Sequence, residues 1–145
     1  MSSRDLPVTV VVNGSVTGPA LVLDEPLSMW GGLDAETGLI IDQRHPQCGQ
    51  CVTGAIVVMD AGRGSSSASS VLAEAVRLGT APVGFVMADV DEIVALGSLV
   101  AEEIYGTVTP IVVASTTDTS TIRTGDIVSI DSTDNTDNNA ILRLL

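Results

Sequence analysis

The chain has 145 residues, enough for one domain with its own core, and 45% of them are apolar. It carries 18 acidic against 6 basic side chains, all six of them arginine, for a formal charge of −12. That balance repels nucleic-acid phosphates and anionic membrane surfaces, so an anionic substrate must be held by local positive groups such as an arginine or a helix N-terminus.

One Phe, one Tyr and one Trp leave Val, Ile, Leu and Ala to build the core, which favours helices packed on a sheet. No run reaches the ~18 uninterrupted apolar residues of a transmembrane helix. "MSSRDLPVTVVV" lacks the order of a signal peptide, and a cytoplasmic location is the expectation.

"VTVVVNG" (8–14) reads as a β-branched strand running into an Asn-Gly turn, and "PALVLDEP" (19–26) as a second strand between prolines. A loop (27–38), a short strand "LIID" (39–42) and a long loop "QRHPQCGQCVTG" (43–54) follow. "AIVVM" (55–59) has the uniform apolarity of a strand covered on both faces. The Gly/Ser stretch "GRGSSSASS" (62–70) then leads into a helix ending near Leu78, with Gly79 as its stop. "PVGFVMAD" (82–89) is a strand, and 90–103 a helix capped by Asp89 or Asp91 and weakened by Gly97. "TPIVVAS" (109–115) and "DIVSID" (126–131) are strands separated by a polar turn, 132–139 is a solvated loop, and "AILRLL" (140–145) is a last strand or a tail. The two strand–helix–strand units imply a partly parallel sheet, and the strand-only ends imply a second sheet or barrel-like closure. The expected fold is an α/β single domain with β/β/α layers, a mixed barrel-like sheet and two or three helices.

Four groups of residues carry candidate chemistry. A strand feeding a Gly-rich turn into a helix presents free backbone N–H groups and a positive dipole end. In "GRGSSS", Arg63 adds a guanidinium that can fork onto a carboxylate or phosphate, and Ser65, Ser66 and Ser67 add hydroxyls. The plain alternative is an over-supplied helix cap, although one serine suffices for a cap. Neither a Gly-Lys-Ser/Thr phosphate loop nor a G-x-S-x-G elbow occurs. "DQRHP" places Asp42, Arg44 and His45, the only histidine, on one loop, either as a loop touching a site or as a structural turn. Cys48 and Cys51 supply two metal ligands of the four a tetrahedral site needs, with His45 a conceivable third, or are incidental loop cysteines. Asp89, Asp91, Glu92, Glu102 and Glu103 read first as solvated helix charges, and "SMWGG" offers Met29 and Trp30 to an interface or to the core.

Taken together, "GGLDAETG", "D-x-RHP" and "GRGSSS" at these spacings resemble the small, swivelling subunit of aconitase X, over roughly residues 7 to 130. The resemblance implies the swivelling β/β/α fold of the aconitase superfamily, closing over a site carried largely by a separate large subunit. It implies that the serine acting as an alkoxide base falls on Ser65, with Gly64, Ser66, Ser67, Arg63, Arg44 and His45 around the substrate. The arginine that follows the serines in classical aconitases is replaced here by Ser67. The implied reaction is dehydration of a small hydroxy acid, either cis-3-hydroxy-L-proline to a pyrroline-2-carboxylate or mevalonate 5-phosphate to an anhydro product. Iron or an iron–sulfur cluster would sit on the large subunit and none on this chain. Two readings of other classes remain open: a non-catalytic binding module with the swivel fold, and a metal or redox carrier using Cys48 and Cys51.

Overall fold

The computed structural model describes residues 3–61, 67–132 and 138–145. Its strands are β1 (Arg4–Val12), β2 (Ser15–Val22), β3 (Ile56–Met59), β4 (Gly84–Met87), β5 (Ile111–Val113), β6 (Ile127–Asp131) and β7 (Asn139–Leu144). The helical segments are α1 (Met29–Gly32), a kinked turn in which Trp30 and Gly31 leave helical φ/ψ, α2 (Ala68–Leu78), α3 (Glu92–Tyr105) and α4 (Thr116–Thr119). The strands close into a barrel in the order β1-β5-β4-β3-β2-β6-β7. β2, β3, β4 and β5 run parallel to one another, while β1 and β6 run against them. β7 lies antiparallel to both β1 and β6 and completes the closure. This is the mixed, barrel-like β/β/α arrangement expected from the strand and helix order.

Strand alternation divides the core in two. Ile56, Val58, Val86 and Val112 face the barrel interior with Leu6, Val8, Val128, Ile130 and Leu142. The intervening Val57, Met59, Phe85 and Met87 face outward, beneath Leu72, Ala75 and Val76 of α2 and Val94 and Ala101 of α3. β3 and β4 are therefore buried on both faces, which is why "AIVVM" shows no polar alternation. Each fully buried branched aliphatic side chain contributes roughly 1.5–3 kcal/mol, so these two layers dominate stability.

The helices end as their sequences imply. Gly79 and Gly106 adopt left-handed φ of 76° and 72° as C-caps of α2 and α3. Asp91, not Asp89, caps α3, its Oδ1 accepting the N–H of Ile93 at 2.9 Å and of Val94 at 3.1 Å. Gly97 has a packing role. A Cβ at that position would meet the Ser69 carbonyl oxygen at 2.9 Å, so the glycine is what lets α3 cross closely over the first turns of α2.

Several boundaries differ from the sequence reading. The second strand begins at Ser15 rather than Pro19, because β6 pairs with it from Ser15↔Asp131 to Pro19↔Ile127. "LIID" forms only the isolated bridges Leu33↔Ile40 and Leu39↔Cys51, because the following loop folds back on it instead of adding a ladder. Only Ile40 of that stretch is buried. The polar region after β5 holds the helical turn α4, capped by Ser115 Oγ accepting the Asp118 N–H at 3.1 Å. Residues 139–144 form a strand of the closed sheet. Met29 packs in the core while Trp30 is 58% exposed.

Candidate functional site

All four parallel strands point the same way, so the segments leaving β2, β3, β4 and β5 gather at one end of the barrel, the usual ligand-binding end of parallel sheets. We refer to it as the mouth. α4 lies across it, and Ile122 just beyond α4 packs into the barrel interior. Between the ends of β2 and β3 and the helical turn is a cavity of about 110 Å³, lined by residues including Leu23, Met59, Asp60, Thr116 and Ser120.

The segment that leaves β3 at the mouth begins with Asp60, whose carbonyl accepts the N–H groups of Ala88 and Asp89 beyond β4, both at 3.0 Å. Arg63, Gly64, Ser65 and Ser66 lie outside the described residues. Ser67 is described. It occupies the N-cap position of α2 with helical φ −68° and ψ −14°, and its side chain caps no N–H of the helix. Its carbonyl accepts Ser70 Oγ at 2.7 Å and the Ser70 N–H at 3.2 Å. At this position, then, a serine surplus is not explained by side-chain capping. α2 itself has 11 residues and directs its N-terminus, with its partial positive charge, at the mouth.

The loop holding Arg44 and His45 is sewn to the end of β2, the strand beside β3. Asp42 Oδ1 accepts the Arg44 N–H at 3.0 Å, and the Asp42 carbonyl accepts the His45 N–H at 3.0 Å. His45 is buried at 6% exposure, and both ring nitrogens are occupied. Nε2 lies 2.9 Å from the Glu25 carbonyl, and Nδ1 accepts the Gln47 N–H at 3.0 Å. Gln47 and Asp24 bond reciprocally: the Asp24 N–H reaches Gln47 Oε1 at 3.0 Å, and Gln47 Nε2 reaches Asp24 Oδ2 at 2.9 Å. Sequence reasoning missed this clamp, since its partners are separated by 20 to 23 residues and neither Asp24 nor Gln47 belongs to a motif. The Arg44 guanidinium is exposed and has no hydrogen-bond or ion-pair partner among the described residues. The structure thus separates the two neighbours: His45 is committed to the loop, and Arg44 is left available at its surface.

The cysteines do not form a metal centre with His45, whose nitrogens are engaged. Both are exposed free thiols, and Cys51 Sγ sits 3.3 Å from Thr53 Oγ1. Among the described residues no three His, Cys, Asp or Glu side chains converge as metal ligands do. The donor set described in this chain therefore does not fit an iron–sulfur cluster. Among the described residues no helix is long and apolar enough to cross a membrane.

Comparison with known proteins places this geometry. Residues 5–138 match the family described as the aconitase X swivel domain. The chain is 40% identical over 110 residues to cis-3-hydroxy-L-proline dehydratase of Hypocrea jecorina, covering 76% of this chain and 18% of that protein. It is 37% identical over 92 residues to the phosphomevalonate dehydratase small subunit of Methanothermobacter thermautotrophicus, covering 63% of this chain and 70% of that one. The fold superimposes on the crystal structure of holo-form aconitase X from Thermococcus kodakaraensis with a TM-score of 0.83 at 29% identity, covering 98% of each chain. The chain spans less than a fifth of the hydroxyproline dehydratases it matches.

Proposed function

Because the chain belongs to the aconitase X swivel-domain family, we propose that it serves as the small subunit of a two-subunit hydro-lyase that dehydrates cis-3-hydroxy-L-proline, with Ser65 as the base. The observation that carries this reading is the mouth: a β3-to-α2 junction rich in serine, beside a clamped loop presenting Arg44, within a chain 40% identical to a hydroxyproline dehydratase across 76% of its length.

In the proposed reaction the Ser65 alkoxide takes the proton on C2, next to the substrate carboxylate. The electron pair left behind forms the C2=C3 double bond as the C3 hydroxyl departs, and water is the net product. The resulting enamine tautomerises to the pyrroline-2-carboxylate. A serine hydroxyl is a weak base precursor, so its environment must favour the anion. The positive end of α2 and the guanidiniums of Arg63 and Arg44 supply that field, and they bind the carboxylate whose negative charge grows as C2 is deprotonated. Gly64 permits close backbone approach, and Ser66 and Ser67 add hydrogen-bonding hydroxyls. His45 belongs to the same substrate-facing loop. Iron or an iron–sulfur group belongs to the large partner in this reading, and no step here runs through it. The chain acts as one swivel domain, in the cytoplasm, without nucleic acid or membrane as partners.

One observation favours the second substrate, mevalonate 5-phosphate: the chain covers 70% of a phosphomevalonate dehydratase small subunit but only 18% of the hydroxyproline dehydratase. The deciding experiment purifies the tagged chain with its partner from the native cell and assays both substrates. A stoichiometric large partner and turnover of cis-3-hydroxy-L-proline are expected. Turnover of mevalonate 5-phosphate alone moves the assignment to the second substrate. A monodisperse chain with neither partner nor turnover refutes the enzyme reading in favour of a binding module. In the complex, Ser65→Ala should abolish turnover while assembly persists, and loss only in Ser66→Ala shifts the base by one residue.

A further inference from the structure

We infer that His45 is a positioning residue: its neutral ring, protonated on Nε2, locks the 42–47 turn to the end of β2 and thereby sets the Arg44 guanidinium at the mouth. The inference rests on the reading of Arg44 as a carboxylate-binding group and adds to it how that group is held. The hydrogen bonds determine the tautomer. Glu25 offers a carbonyl, which only accepts, so Nε2 must carry the proton. Gln47 offers an N–H, which only donates, so Nδ1 must be bare. A doubly protonated ring would set two N–H groups against each other at Nδ1 and open the turn. Burial strengthens the requirement, because a buried donor or acceptor left unpaired loses its water as well as its partner.

The neighbouring residue inherits this order. Arg44 is bracketed by Asp42, which takes its backbone N–H, and by His45, whose own N–H reaches the Asp42 carbonyl. With both flanks fixed, the exposed guanidinium samples few backbone positions. An arginine so placed loses less freedom on binding a carboxylate than one on an unpinned loop. The reciprocal Asp24–Gln47 bonds extend the same clamp from the other side.

His45 is the only histidine in the chain, so its ring can be read without interference. In the 15N-labelled chain, ring-nitrogen NMR near neutral pH should report a proton on Nε2 and none on Nδ1; the opposite tautomer overturns the inference. The second readout is kinetic and uses the assembled enzyme. His45→Gln keeps a donor toward Glu25 but removes the acceptor for Gln47. It should raise KM about tenfold, the cost of one unpaired buried group, with kcat within about twofold. His45→Asn, which restores an acceptor at the Nδ1 position, should recover part of that loss. In an Arg44→Ala background His45→Gln should add nothing further, since it acts through Arg44. Asp24→Ala, an exposed substitution that removes the Oδ2 acceptor of Gln47 Nε2 while the backbone N–H bond to Gln47 Oε1 remains, should raise KM in the same direction by a smaller factor even if His45→Gln fails to fold. An additive effect in the Arg44→Ala background, or unchanged KM in both His45→Gln and Asp24→Ala, overturns the inference and leaves the functional reading standing. A wild-type complex that turns over neither hydroxy acid refutes the functional reading itself.

Discussion

Replacing Gly97 by alanine sets two opposing effects against each other. In an unpacked helix the change stabilises by about 1 kcal/mol, because alanine is the better helix former. Here a Cβ would lie 2.9 Å from the Ser69 carbonyl oxygen, 3.1 Å from the Ser69 Cα and 3.2 Å from the Leu72 Cβ. Two of these three contacts are backbone, which cannot swing aside as the tip of a long side chain can. α2 and α3 must part by roughly 0.5 Å to restore ordinary contact, loosening the layer around Leu72, Ala75 and Ala101, and overpacking of this kind costs about 1–3 kcal/mol. Because backbone makes two of the contacts, the packing cost falls in the upper part of that range, about 2–3 kcal/mol, and less the propensity gain of about 1 kcal/mol it leaves a net loss of about 1–2 kcal/mol. For a chain of this size that is a fall in Tm of roughly 3–6 °C. Circular-dichroism melts of the purified variant and wild type read it directly. Ser69 lies two residues beyond Ser67, so the same displacement should disturb the serine loop and lower turnover of the assembled enzyme about tenfold. An unchanged or raised Tm would show that the helices do not meet as closely as described, and would refute the reasoning.

Ser132→Ala tests the barrel's closure at the end opposite the mouth. Ser132 Oγ accepts the Gly14 N–H at 3.0 Å and donates to the Gly14 carbonyl at 3.1 Å, both buried, so its removal should cost about 1–3 kcal/mol in a urea titration. Asp91→Ala removes the cap of α3 and should cost about 1 kcal/mol, with Asp91→Asn retaining much of the stability. Glu74→Gln should leave Tm unchanged within error. The hydrogen bond from Arg77 holds the Glu74 carboxyl below its ordinary range, so what stability the pair adds is present above the unfolded-state value and lost as pH falls through the lowered one. Both side chains are about half exposed, which makes that contribution small; a clear Tm drop near neutral pH would refute the assignment.

The parts of the fold that were legible are those where one local rule sufficed. "AIVVM" and "GFVM" carry no polar position because both faces are covered, and Gly79 ends α2 through its left-handed φ. β2 was misplaced because "VTGP" reads as turn chemistry, whereas in the barrel Gly18 and Pro19 are paired with β6. "LIID" passed for a strand because three apolar residues in a row look buried, yet Leu39 and Ile41 face outward and only Ile40 is covered. α4 did have a signal, since Ser115 and Asp118 stand three apart as capping residues do, but threonine-rich sequence concealed it. At the candidate site, the sequence singled out the Arg44–His45 pair, and the family resemblance assigned both to substrate. The division of labour between them depends on Glu25 and Gln47, and nothing in the order of residues announces that partnership.

The pairing of β1 with β7 has a consequence for how this unit can be joined to other polypeptide. Arg4 sits across the ladder from Leu144, so the two ends of the described chain emerge side by side. They do so at the mouth, where Arg4 also reaches the Thr121 carbonyl at 3.0 Å just beyond α4. A covalent tether attached at either end would therefore begin beside the candidate reaction centre rather than behind it. Domain-level portability follows: the same barrel can be strung into a longer polypeptide, or circularly permuted by a short bridge from Leu144 to Arg4, without redirecting its mouth. For the laboratory the corollary is an affinity tag on a long, polar spacer, because a short one at either end would crowd the mouth, where the proposed partner would dock.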